Sequence, residues 1–325
     1  MILPGFFKFC HYTPTKIDKF FETCQFFCLW YTFITTFLGE IDVSILQDSL
    51  TKLKSLYSFS KKVSIINSVK SATTERTMLL EKILEKILLH DHSILLLLSV
   101  IPERTKELDV SLIASAARNI MDTTNFYFHL SQRGIDASNM EFRIDTMVLN
   151  ELYNEMDITK KFGFSQDCDH ARINRRYYEN ALQRFQRFPQ FLQLSANEKV
   201  QVLSGRKSTF QMKSPNILQE QMESAIYNLF SNSLHGLPLG LGNNSINYTL
   251  FFNNFFNAEQ LLVISLQVSY IYTAHVVKDY LNLRKHLYSL LTQEEKKILK
   301  AYLSTTDLVN YIQTLGVEYE KDFFN

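Results

Sequence analysis

The chain reads as an all-α protein, a multi-helix bundle with no significant sheet. Three observations predict this. Only 9 Gly and 6 Pro occur in 325 residues, too few to turn many short strands. Apolar residues recur at spacings of three and four along almost every segment, the period of a helix with one buried face. No stretch alternates apolar and polar residues as a half-buried strand would. The 26 Phe and 16 Tyr supply large apolar surfaces for a core.

In chain order, residues 15–38 read as an aromatic-rich helix stopped by Gly39. Residues 43–59 follow, with Ile45, Leu46, Leu50, Leu53 and Leu56 on one side. A long helix spans 73–100; its end, Ile94 to Leu98, is apolar all round, which places it centrally, and Pro102 closes it. The helix over 111–132 is rich in small residues at its start (Ala114, Ser115, Ala116, Ala117), which permits close approach of a neighbour. Helices over 138–161 and 169–188 follow, ended by Gly163 and Pro189. Ser195-Ala-Asn-Glu198 has the form of a capping box before a short helix that stops at Gly205. Ser214-Pro215 reads as the start of a helix that runs to His235. A loop, 236–248, precedes a helix over 257–283. Thr292-Gln-Glu-Glu295 caps the C-terminal helices. Roughly ten helices of ordinary length are expected, in an N-terminal extension (1–60) and a main helical domain (61–325).

The formal net charge of +1 excludes a global charge argument for a nucleic-acid or membrane partner. Cys10, Cys24, Cys28 and Cys168 are not spread as a disulfide framework, and a reducing cytoplasm is the simplest setting. Cys24 and Cys28, with Cys10 and His11 nearby, lack a second close pair for zinc, so they read as core thiols and no metal is expected. The uncharged run Thr23 to Gly39 is short for a span and holds several Thr, so it reads as a buried helix, with membrane association of the N-terminus as the alternative. No phosphate-binding glycine loop, H-E-x-x-H or G-x-S-x-G is present, and no cofactor is expected.

Three constellations bear on function. Glu223, Tyr227, Ser231 and His235 fall four apart and stack on one helix face. As chemistry, His235 is a candidate general base with Ser231 or Tyr227 as its partner. As structure, the same stripe is a hydrogen-bonded lock between helices. Arg118 and Asp122 also lie four apart, and Arg143 follows on the next helix between Glu141 and Asp145. This set reads as an Arg–carboxylate network between the two helices, or as a site for an anionic ligand. Finally, Lys160 to Lys213 holds eleven Lys and Arg against four Asp and Glu. Arg172, Arg175, Arg176, Arg184 and Arg187 interleave there with Tyr177, Tyr178, Phe185, Phe188 and Phe191. Such a run is a solvated face over core aromatics, or a surface for single-stranded RNA.

The segments RFPQFLQLSANEKVQVLSGRK (187–207) and YNLFSNSLHGLP (227–238), with Arg118 and its acid four residues on, resemble uncharacterised bacterial all-helical proteins with a Tyr-x3-Ser-x3-His helix. In those the acid is usually Glu, and here it is Asp122. The resemblance covers 111–240 and implies a helical fold and a bacterial origin, with no activity to carry over. A more distant similarity is to HEPN-type helical domains, some of which are ribonucleases of toxin and phage-defence systems. Their signature is an Arg followed four to six residues later by His, and no Arg here has a His at that spacing. The expected function is a soluble interaction or regulatory module; the alternative is a ribonuclease-like or nucleic-acid-binding effector of a bacterial defence or toxin system. A protein partner, single-stranded RNA and a second copy of the chain are the candidate partners.

Overall fold

The computed structural model describes residues 43–68, 74–99, 109–209, 215–234 and 258–324, with side chains through 316 in the last segment. Every regular element among them is a helix: α1 Val43–Ser68, α2 Glu75–Ser99, α3 Val110–Ser131, α4 Ala137–Lys161, α5 Asp169–Phe185, α6 Pro189–Gln193, α7 Ala196–Leu203, α8 Glu220–Leu234, α9 Ala258–Leu283, α10 Lys285–Ser289, α11 Gln293–Tyr302 and α12 Thr306–Phe324. The aromatic helix expected over 15–38, the cysteine trio and the 236–248 loop lie outside the described residues.

Short polar residues start the helices where the sequence places them. Asp109 accepts the Ser111 amide ahead of α3, and Asp136 accepts the Asn139 amide at 2.8 Å ahead of α4. Both expected capping boxes form, Ser195 with Glu198 and Thr292 with Glu295. Glycine matters most at Gly205, which ends α7 at φ 61°. A Cβ there would overlap the Tyr153 ring, and the Gly205 carbonyl accepts from Asn150, so α7 seats directly on α4.

Boundaries differ from expectation most in two places: α1 continues to Ser68, past the end expected at 59, and the start of α8 is shifted. The helix bearing the Tyr227 stripe starts at Glu220, not at Ser214-Pro215. Asn216 adopts a left-handed φ of 53°, which breaks any helix there, and Ile217 and Leu218 turn inward into the core.

The core is built around α9. Its Tyr270, Tyr272 and Tyr280 are fully buried, with Leu261, Leu266, Ile271 and Val276. α3 and α1 pack along α9, α2 closes onto α3, and α8 lies on the outer side of α3. The small residues Ala114 and Ala117 are buried at these contacts. α9 is long and apolar enough to cross a membrane, but here it is the central helix, with 89% of its most apolar window buried inside the protein. α10, α11 and α12 return onto α9. Lys62–Glu295 at 2.8 Å and Lys52–Asp307 at 2.7 Å tie α11 and α12 to α1. The boundary expected at residue 60 falls inside α1, where Leu56 and Val63, on either side of it, are buried in the same core.

A smaller lobe projects from this bundle. α4 and α5 pair antiparallel, with α6 and α7 folded across them, around Phe142, Leu149, Ala181, Phe185, Phe191 and Val202. The Phe142 and Phe185 rings stack at 4.9 Å, and Phe191 meets Phe185 edge-on at 5.3 Å.

Candidate functional site

The polar stripe of α8 faces α3. Arg118 Nη2 donates to the Tyr227 hydroxyl at 2.8 Å, and its guanidinium carbon lies 4.7 Å from the centre of the same ring. Asp122, one turn along α3, sits with a carboxylate oxygen 3.9 Å from Arg118 Nε. Burial pushes the Asp122 carboxyl above its ordinary range, while the Arg118 charge and a hydrogen bond from Tyr227 hold it down. The side chains of Arg118 and Asp122 are 27% and 42% exposed, so the cluster lies at the mouth of the α3–α8 seam and not in the core. One turn before Tyr227, Glu223 approaches Tyr272 of α9, whose phenol is pushed far up by burial and then by that carboxylate.

Ser231 does not join this cluster through its hydroxyl. It donates to the Tyr227 carbonyl of its own helix at 2.7 Å, as Ser233 does to Leu229 at 2.8 Å. A nucleophilic serine needs a base within hydrogen-bond reach. Among the described residues Ser231 has a backbone acceptor instead. His235 lies outside the described residues.

Arg143 departs from the expected network. It donates to the His129 carbonyl and, at 3.0 Å, to Gln132 Oε1. Arg76 joins it, donating to the carbonyls of Leu130 at 2.7 Å and Gln132 at 3.0 Å. Two guanidinium groups therefore satisfy the free carbonyls at the C-terminal end of α3 and face the negative end of its dipole. Eleven residues of helix separate His129 from Arg118, roughly 16 Å, so Arg143 acts at the C-terminal end of α3 while Arg118 lies near its middle. Burial, and next the Arg143 charge, push His129 down to about 4, so its imidazole is neutral. Asp145 takes a third course: both its oxygens accept from Arg184, Nε at 2.6 Å, clasping α5 to α4. The single network expected between α3 and α4 is thus three separate devices: seam, helix cap and lobe clasp.

The basic run divides as well. Tyr178, Phe185, Phe188 and Phe191 pack in the lobe core, and Tyr178 also donates to the Leu203 carbonyl at 2.7 Å. Tyr177 stays 62% exposed. Arg184 is held by Asp145, and Arg172 bonds Asp169 on its own helix. Arg176 and Arg187 are exposed, with no acidic partner among the described residues.

Sequence reasoning passed over Asp91. It is fully buried in α2 and accepts from Thr273 of α9 at 2.9 Å, while its second oxygen has no partner. Burial raises its pKa well above the usual carboxylate range. The signal was present: Ile87, Leu88, Ile94 and Leu95 stand three and four residues away on both sides, so any helix that buries them buries Asp91. The Arg284–Glu81 pair between α9 and α2, which Tyr280 joins at 3.3 Å, was also missed, because 203 residues separate its members.

Among the described residues no group of three His, Cys, Asp or Glu is arranged to hold a metal. Comparison of the chain with protein-family models, with curated proteins and with solved structures found no match.

Proposed function

We propose that this chain is a non-enzymatic interaction or regulatory module: a helical bundle that holds a smaller recognition lobe away from its core. One observation carries the reading. The described proton-handling residues of the α3–α8 seam already have partners: Tyr227 ties α8 to Arg118 and Asp122 of α3, and Ser231 bonds a backbone carbonyl of its own helix. Such contacts stiffen a helix pair, and among the described residues they leave no nucleophile–base couple. The side lobe, by contrast, presents surface with no internal use. Among the described residues, seven of the fifteen exposed large hydrophobics lie in its span 158–200, including Phe162 at 72% and Phe164 at 61% exposure. Clustered exposed apolar groups mark a contact surface. A cytoplasmic setting belongs to this reading, since Cys168 is a free, exposed thiol of the kind a reducing compartment preserves.

The test separates structure from chemistry in the seam. Tyr227→Phe removes the acceptor of Arg118 and is expected to lower stability by about 1–2 kcal/mol in urea unfolding. Ser231→Ala is expected to change it by less than about 0.5 kcal/mol, since a hydroxyl bonded back to its own helix adds little. Ester and phosphodiester reporters should remain uncleaved by the wild-type protein. Turnover that depends on Ser231 or Tyr227 would overturn the module reading.

A further inference from the structure

We infer that the outer face of α5 and the adjoining α4–α5 turn form a binding surface for single-stranded nucleic acid; this rests on the reading of the lobe as the recognition element. The buried side of α5 is settled by Tyr178, Ala181 and Phe185. Helical spacing then puts Arg172 and Arg176 on the opposite, solvent side, with Arg187 in line just past the helix end. From Arg172 to Arg187 the row is about 22 Å long. Tyr177, 62% exposed, and Ile173 border the row on the side of α4. At the turn leading into α5 the exposed rings of Phe162 and Phe164 lie 5.9 Å apart, next to Lys160.

Arginines in a line match a line of phosphates, and guanidinium groups and exposed rings both stack on bases. The acids nearby are few: Asp169 is bonded to Arg172, and Glu179 stands at the edge of the row away from Tyr177. A bilayer fits less well. A helix that lies on a membrane buries its apolar face in the lipid, and the apolar face of α5 is already spent on Phe142, Phe191 and Val202. A bilayer would also press Asp167 and Asp169, in and just after the same turn, against its headgroups, whereas a flexible strand can pass beside them.

The experiment is fluorescence anisotropy of the full chain with a labelled oligouridine of about 20 nucleotides, titrated between about 50 and 200 mM KCl. Three phosphate contacts give a slope of about −2 in log affinity against log salt, a loss of about twentyfold across that range. Arg176→Glu/Arg187→Glu, with melting temperature as the folding control, should weaken binding at least about tenfold and flatten the slope. Tyr177→Ala should weaken it about fivefold with the slope unchanged, the mark of lost stacking. Binding of the RNA that ignores both variants, or equal binding of a duplex of the same length, would overturn the inference. Arginine-dependent binding of polyglutamate or of phosphatidylserine vesicles, with none of the RNA, would overturn it while leaving the recognition lobe standing. Binding of none of these probes would overturn both.

Discussion

Asp91 shows how much one side chain can carry in this core. It is a carboxyl without water, with one hydroxyl donor, Thr273, and one oxygen unpaired. Ionising it there is costly, so the folded chain holds its proton to higher pH than the unfolded chain does. The sign follows from linkage. The folded state binds the extra proton, so the contribution of Asp91 to stability is full below the unfolded pKa. It is lost as pH rises towards the elevated folded value. Asp91→Asn keeps the shape and the acceptor for Thr273 but cannot ionise. The variant is expected to be more stable than wild type at pH 8 by about 1–2 kcal/mol, with the gap closing as pH falls towards 4. Urea unfolding across that range measures it, and a gap that grows towards acid pH would refute the account. His129 pulls the other way. Its pKa is held down near 4, so it draws stability out of the fold as pH falls from its ordinary range towards that value.

Among elements, α9 and α5 stand at opposite extremes. α9 is enclosed on all sides, and Leu266 is inaccessible to solvent. Leu266→Ala is expected to cost about 2–5 kcal/mol, because the surrounding helices cannot collapse into the space it leaves; thermal or urea unfolding reads the loss directly. α5 buries only Ala181 and Phe185 fully and depends on the Asp145–Arg184 clasp and on the small aromatic cluster beneath it. A six-residue core opens more readily than the main one. Native-state hydrogen exchange should therefore find the amides of α5 to α7 exchanging faster than those of α9, and equal protection would show that the lobe unfolds only with the whole bundle.

In the whole molecule, what was legible in the sequence and what was not separate along one physical line. Helical class, the order of the helices and both capping boxes could be read because they depend on residues three and four apart, a distance the chain itself fixes. Whether Phe185 and Phe191 turn inward or stack on a ligand was left open by the sequence, and packing put them in the lobe core. The start of α8 was misplaced because Asn216 adopts a left-handed conformation that no neighbouring residue type demands, and burial of Ile217 and Leu218 holds it there. The Arg118–Tyr227 bond spans 109 residues and the Glu81–Arg284 pair 203, and no local pattern encodes such pairings. Arg118, Asp122, Arg143 and Asp145 were recognised as charged groups that need partners, yet which partner each took depended on how α3, α4, α5 and α8 cross. By itself the sequence determined an all-helical chain, a polar stripe on α8 and a basic run through α5, because these follow from composition and period. Only the tertiary structure decided that Tyr227 of the stripe bonds across a helix seam, that Arg143 caps α3, and that the arginines of α5 face solvent, because long-range packing sets which polar groups find each other and which stay exposed.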